Sequence, residues 1–311
     1  MKWCVPPMEE IMKSVVSYED RGKFGNNRYR GNCSGRLIED IIDQYKLRSL
    51  SDYMVGGGTT EDVCRAKGIP GTFLDLNRGF DMMTMEIPER AENCFWHPPY
   101  ADIVVYSDKM YKAQDIIDKY GFDPRINDLS RCQNWEDFVK KMNYCCLKQY
   151  ASLEKGGRMF VLMGDIKKKG RLYSMLSDIV KPGTLEQIII KMQHNCVSDR
   201  TEYSNTNFVP IVHEYLMVLH KDAALVYQVV LPVRRTMDMR DCRSATWRDV
   251  LCSILEESHK SMKLDELYRA VDGHKRCETN SHWKDKIRQT LRINPKVFTQ
   301  LSDGSWKLAA A

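Results

Sequence analysis

The run from Ser51 to Asp75 constrains the fold more than any other stretch. Ser51 to Val55 reads as a strand, Gly56-Gly57-Gly58 as a turn, and Thr59 to Lys67 as a helix that Gly68 ends. Gly71 to Asp75 reads as a second strand. Two strands joined through a helix lie parallel, with a right-handed crossover. The alternation continues: Asn93 to Trp96 reads as a strand, Trp135 to Leu153 as a helix, Gly156-Gly157 as a turn and Arg158 to Met163 as a buried strand. Leu172 to Val180 reads as a helix, Pro182-Gly183 as a turn, and Thr184 to Met192 and His213 to His220 as strands, with Ala223 to Pro232 extending the last as a hairpin. Leu37, Ile38, Ile41, Ile42 and Tyr45, preceded by Ser34-Gly35, are spaced as one face of a helix. The pattern predicts an α/β fold with helices on both faces of a sheet. Residues 1–30 and 107–131 read as polar and irregular, the second stretch long enough to be a binding loop.

A chain of 311 residues accommodates one large domain and a small one. The polar stretch 237–244 reads as a linker, and after it the pattern turns helical. Val250, Leu251, Ile254 and Leu255 mark one helix, Leu264, Leu267, Tyr268 and Val271 another, Trp283, Ile287 and Leu291 a third. Asp303-Gly304 then makes a hairpin turn between Val297-Phe298 and Trp306-Lys307-Leu308. Three helices closed by a hairpin predict a winged helix over 245–308. The net charge of +5 permits nucleic-acid binding without requiring it. No run reaches the length of a membrane span, and the first residues lack the apolar region of a signal peptide, so a cytoplasmic location is expected. The eleven cysteines form no CxxC and no zinc spacing; they read as reduced, apolar filler, and no metal is expected.

Two motifs carry chemistry. A strand that runs through glycines into a helix brings backbone amides and a helix N-terminus to a negative ligand group. No lysine stands at the P-loop position, which argues against ATP, and Asp75 at the next strand end suits ribose hydroxyls. About forty residues after the glycines stands His97-Pro98-Pro99-Tyr100. The exocyclic amine of a base is a poor nucleophile because its lone pair is delocalised into the ring. Acceptors at its two N–H groups, here the Pro98 carbonyl and the residue-97 side chain, draw it toward tetrahedral geometry, while Tyr100 offers a stacking face for a base flipped out of its helix.

The order of these motifs resembles that of the S-adenosylmethionine-dependent amino-methyltransferases of DNA, the N6-adenine and N4-cytosine group, over roughly residues 30 to 222. Asp52 to Thr60 looks like that family's Asp-Pro-Phe-x-Gly-Ser-Gly-Thr-Thr motif, departing at Tyr53-Met54 and Gly57. Phe73 to Asn77 looks like its ribose-binding strand end, Asn32 to Gly35 like its upstream motif, and Gly156 to Arg158 and His213 to Val218 like later core strands. The resemblance implies a Rossmann-like methyltransferase domain over 31–236 that holds S-adenosylmethionine through Asn32, Cys33, Ser34, Gly35, Asp52, Met54, Gly56, Gly58, Thr59, Thr60, Asp75 and Leu76. It implies that His97, Pro98, Pro99 and Tyr100 act on the flipped base, with adenine N6 the favoured acceptor. The family carries Asp, Asn or Ser where this chain has His97, which must be neutral to accept a hydrogen bond. Double-stranded DNA is the expected partner, contacted by Arg234, Arg235, Lys275, Arg276, Lys284, Arg288 and Gln289. An N4-cytosine acceptor, an RNA base and a non-catalytic DNA-binding regulator stay open as alternatives, as do a homodimer and a partner nuclease, while the winged helix argues against a protein glutamine.

Overall fold

The computed structural model describes residues 11–194, 209–222, 229–230 and 245–309. The expected linker 237–244 and most of the expected hairpin 223–232 lie outside the described residues. The chain divides into two compact units, Met1–Pro232 and Val233–Ala311.

In the first unit the elements run β1 (Val15–Ser17), α1 (Gly35–Tyr45), α2 (Thr59–Lys67), β2 (Ala91–Trp96), α3 (Ala113–Tyr120), α4 (Trp135–Ser152), β3 (Leu153–Met163), β4 (Ile166–Lys168), β5 (Arg171–Tyr173), α5 (Met175–Asp178), β6 (Lys181–Pro182), β7 (Thr184–Met192), β8 (His213–His220) and β9 (Val229–Val230). The central sheet has the order β1-β7-β8-β3-β2. Its outer pairs, β1 with β7 and β2 with β3, are parallel, and β8 runs antiparallel between β7 and β3. Single parallel bridges, Ser51 to Cys94 and Asp52 to Phe73, continue the sheet beyond β2. The result is a mixed, mainly parallel sheet.

Period-two alternation builds the core on both of its faces. Met159, Val161 and Met163 of β3, with Met217 and Leu219 of β8, pack on Phe138, Met142, Cys145 and Cys146 of α4. Phe160, Leu162, Leu216 and Val218 point the other way, onto Leu37, Ile38, Ile41 and Ile42 of α1 and Val63 of α2. Cys145 and Cys146 have no exposed surface, and burial pushes both thiols up to about 12, which suits apolar filler.

The sequence expectations need several local corrections. Ser51–Val55 and Gly71–Asp75 pair through single bridges, not as strands, because the Asp52 and Asp75 carboxylates take the amides of Met54 and Gly56. Gly156-Gly157 is no turn: it lies within β3, where Gly156 has φ 81 and a Cβ on Gly157 would fall 2.0 Å from the Glu92 carbonyl. The helix expected over 172–180 shrinks to α5, because Lys169 and Gly170, both at positive φ, fold β4 and β5 into a hairpin. The stretch 107–131 holds α3, and the N-terminal residues add β1 to the sheet edge.

The second unit contains α6 (Trp247–Ser258), α7 (Leu264–Val271), the short α8 (Lys275–Glu278), α9 (Trp283–Ile293) and the hairpin β10 (Phe298–Gln300) to β11 (Trp306–Leu308). Leu251, Leu267, Ile287, Leu291, Phe298 and Trp306 close its core. A reciprocal cap between Thr246 and Asp249 starts α6. Among the described residues no helix is long and apolar enough to cross a membrane, and no three His, Cys, Asp or Glu residues converge as metal ligands.

Candidate functional site

The glycine turn, Asp75 and His97 all lie just past the carboxyl ends of parallel-paired residues, where open α/β sheets leave a crevice. Gly56 and Gly58 have φ values of 50 and 84, which L side chains resist, so the turn requires glycine there. The close approach these glycines permit is made by the chain itself: a Cβ on Gly56 would lie 2.9 Å from the Tyr29 ring, and one on Gly57 3.1 Å from the Tyr29 Cβ. The Asn26 amide bonds the Gly57 carbonyl at 2.8 Å, and the Thr59 hydroxyl donates to the Asn32 amide oxygen. The segment read as irregular thus covers the turn.

Asp75 accepts from the Gly56 amide at 2.8 Å and the Asn77 amide at 2.9 Å. Burial raises its pKa against those bonds. Asp52 accepts from the Thr60 hydroxyl at 2.7 Å and the Met54 amide at 3.0 Å, and burial pushes its carboxyl up to about 7. These groups line a cleft, open to solvent, together with Asn32, Cys33, Thr59, Leu76, His97 and Pro99. Sequence reasoning missed several of its walls: Tyr29, Gly57, Phe80 to Met83, Tyr106, Tyr111, Asn127 and Asp128. Of these, Gly57 carried a signal in its place in the glycine run, and Tyr111, Asn127 and Asp128 in their place in the expected binding loop 107–131. Gly58 and Gly35 do not line the cleft; Gly58 caps α2, and Gly35 opens α1 against the Phe24 ring. The 107–131 stretch helps wall the cleft because Asp128 accepts four bonds, from the amide and hydroxyl of both Ser107 and Ser130.

A second cleft adjoins the first, sharing Gly31, Asn32, Cys33, His97 and Tyr106. Ser34, Pro98, Tyr100, Lys191 and Glu214 line it. His97 Nε2 lies 3.1 Å from the Tyr100 hydroxyl, which donates to Glu214 Oε1 at 2.6 Å. Lys191 Nζ donates to Glu214 Oε2 at 2.6 Å, and the two residues are cross-strand partners of β7 and β8. The His97, Glu214 and Lys191 side chains are only 13%, 7% and 11% exposed. Burial lowers the His97 pKa, against the attraction of Glu214 and with the help of Lys191. Burial alone would raise Glu214, but Lys191 and His97 outweigh it and hold the carboxylate below its usual range. Burial and the Glu214 charge push Tyr100 far up, so it is a neutral phenol. Gly164, past the end of β3, makes room for the Tyr100 ring, which a Cβ there would meet at 2.9 Å.

In the second unit Lys284, Arg288 and Gln289 are exposed on α9. Lys284 lies over the Tyr268 and Trp283 rings, Arg288 bonds Asp285 and the Tyr268 hydroxyl, and Gln289 accepts from Lys286. Arg276 lies in α8, which Lys275 opens, while Arg234 and Arg235 lie outside the described residues.

No protein-family model matches the chain, and no curated protein matches it. Among solved structures it is similar, at 14% identity and a TM-score of 0.26, to the Thermus thermophilus protein named "putative DNA modification methylase". That similarity covers 64% of this chain and spans 60% of the other protein. Another, at 10% identity and a TM-score of 0.31, covers 66% of this chain and 84% of a protein from a study of disulfide-to-thioacetal conversion in echinomycin biosynthesis.

Proposed function

We propose that the protein is an S-adenosylmethionine-dependent methyltransferase acting on the exocyclic amine of a DNA base, adenine N6 in the first place. The observation that carries this reading is the pair of clefts that meet at His97. One is walled by the glycine turn, Asp75 and apolar side chains, the other by Pro98 and Tyr100. The first suits the cofactor's chemistry: Asp75 is a buried acceptor for ribose hydroxyls, Phe80, Met82 and Met83 give an apolar wall for a purine, and α2 begins without a side-chain cap, its amides free for a carboxylate. When bound, S-adenosylmethionine supplies a sulfonium methyl group, a strong electrophile.

The chain's own work is done on the acceptor. The Pro98 carbonyl and neutral His97 accept the two amine hydrogens and free the nitrogen lone pair. Tyr100 and Pro99 hold the base plane between the clefts, so that positioning and fixed hydrogen-bond acceptors carry the catalysis. The second unit, read as a winged helix, binds the duplex through Arg276, Lys284, Arg288 and Gln289, with Lys275, Arg234 and Arg235 as further contacts.

The test is transfer of labelled methyl from S-adenosylmethionine to mixed-sequence duplex DNA, with product nucleosides resolved by mass spectrometry. N6-methyladenine supports the reading, and N4-methylcytosine supports the class while moving the acceptor. Cofactor and DNA binding without any transfer would overturn it in favour of a regulator that keeps the cofactor fold.

A further inference from the structure

Histidine can serve at a position that needs an acceptor only if the correct ring nitrogen is bare. The hydrogen bonds behind His97 decide which one is. Lys191 can only donate, and it donates to Glu214 at 2.6 Å, so Glu214 is held as an acceptor-only carboxylate. The Tyr100 hydroxyl has one hydrogen, and at 2.6 Å it goes to Glu214, the charged and closer of its two neighbours. The Tyr100 oxygen can then only accept from His97, whose Nε2 lies 3.1 Å away. Nε2 therefore carries the ring hydrogen. Nδ1, which bonds no group among the described residues, keeps its lone pair, on a residue that lines both clefts.

We propose that the chain Lys191–Glu214–Tyr100 is a positioning device that fixes the Nε2–H tautomer of His97, making Nδ1 the acceptor for the target amine. The assignment of Nδ1 to an amine rests on the methyl-transfer reading; the tautomer itself does not. Lys191 and Glu214 touch no reacting atom in this scheme. They act by giving the hydrogen-bond chain a direction, and β7 and β8 supply them as one cross-strand pair.

The direction can be reversed without changing the shape of any side chain. In Glu214→Gln, Lys191 still requires an oxygen, so the amide oxygen turns to it and the amide N–H group faces Tyr100. Tyr100 must then accept from Gln and donate to His97 Nε2, which moves the ring hydrogen to Nδ1 and turns the acceptor into a donor.

The experiment is ¹⁵N NMR of the histidine rings in the full chain, with the His97 signals assigned by their absence in His97→Asn. Methyl transfer and S-adenosylmethionine affinity are measured in parallel. In the wild type, Nδ1 is expected to give the signal of a bare nitrogen and Nε2 that of a protonated one. In Glu214→Gln the two should exchange, with kcat falling roughly a hundred-fold and cofactor affinity unchanged. In Tyr100→Phe the chain is cut, so adding Glu214→Gln should no longer move the tautomer. A wild-type His97 protonated at Nδ1, or a tautomer indifferent to Glu214→Gln, overturns the proposal. The wild-type spectrum is decisive even if a variant does not fold. A tautomer that exchanges as expected in a protein that methylates no base supports the hydrogen-bond chain and defeats only the methyl-transfer reading. Transfer to DNA with the opposite tautomer does the reverse.

Discussion

Under the proposed function, His97 sets how acid the medium can become before the acceptor is lost. Its neighbours are Glu214 on β8, Lys191 on β7, and Tyr100, and the net effect of burial and these charges is a lowered pKa. A base held below its ordinary value stays neutral further into acid, so methyl transfer is expected to persist below the usual histidine range and to fall as pH drops through the lowered pKa. A kcat profile that fell instead at or above the ordinary histidine pKa would contradict this. Asp52 works in the opposite sense. Its folded pKa, about 7, stands above the ordinary 3.8. Both states are protonated below the lower value, while between the two only the unfolded state ionises, so stability is lost as pH rises through that window, by about 1.4 kcal/mol per unit. Asp52→Asn removes this pH dependence. Relative to the wild type, it should gain roughly 3 kcal/mol in denaturant unfolding between pH 5 and pH 8. Asp75→Ala, by contrast, should weaken S-adenosylmethionine binding about ten- to hundred-fold in calorimetry, the size of a lost charged hydrogen bond.

The turn between Ser51 and α2 shows how far a motif determines its surroundings. The glycines were legible because no other residue tolerates φ values of 50 and 84 so readily. Their occupant was not, because Tyr29 reaches them from a segment with no periodic pattern. Gly56→Ala should therefore be destabilising twice over, through the left-handed backbone and the Tyr29 ring at 2.9 Å, by about 1–2 kcal/mol in thermal or denaturant unfolding. Three helices of the second unit, α6, α7 and α9, were legible from spacing alone: Leu251, Leu267, Ile287 and Leu291, each fully buried, fall where helical periodicity puts them, whereas the short α8 was not expected. Their start signals are equally local. Thr246→Ala breaks the reciprocal cap with Asp249 and should cost the second unit about 1 kcal/mol.

The division into two units separates two kinds of binding under the proposed function. Cofactor affinity belongs to the sheet crevice, and duplex affinity draws on the exposed basic face of α9. Lys284→Glu in the full chain should then weaken duplex binding similarly for all sequences and flatten its salt dependence by about one unit of slope, leaving S-adenosylmethionine affinity unchanged. Arg288 is expected to contribute less on removal, since Asp285 and Tyr268 already hold its guanidinium.

What could be read from the residues in order is what depends on neighbours in order. Strand alternation in β2, β3 and β8, the apolar stripe of α1, the glycine turn and the Pro-Pro exit after Trp96 are all encoded within a dozen residues, because backbone sterics and side-chain periodicity act over that range. The acceptor network is encoded nowhere locally. Tyr100 and Glu214 stand 114 positions apart, and Lys191 meets Glu214 because β8 runs antiparallel beside β7 and places both at the edge where β2 ends. The sequence could say that His97 must be neutral. Which nitrogen is bare follows from the direction of three hydrogen bonds between side chains brought together by sheet pairing, and that pairing exists only once the strands have found their order.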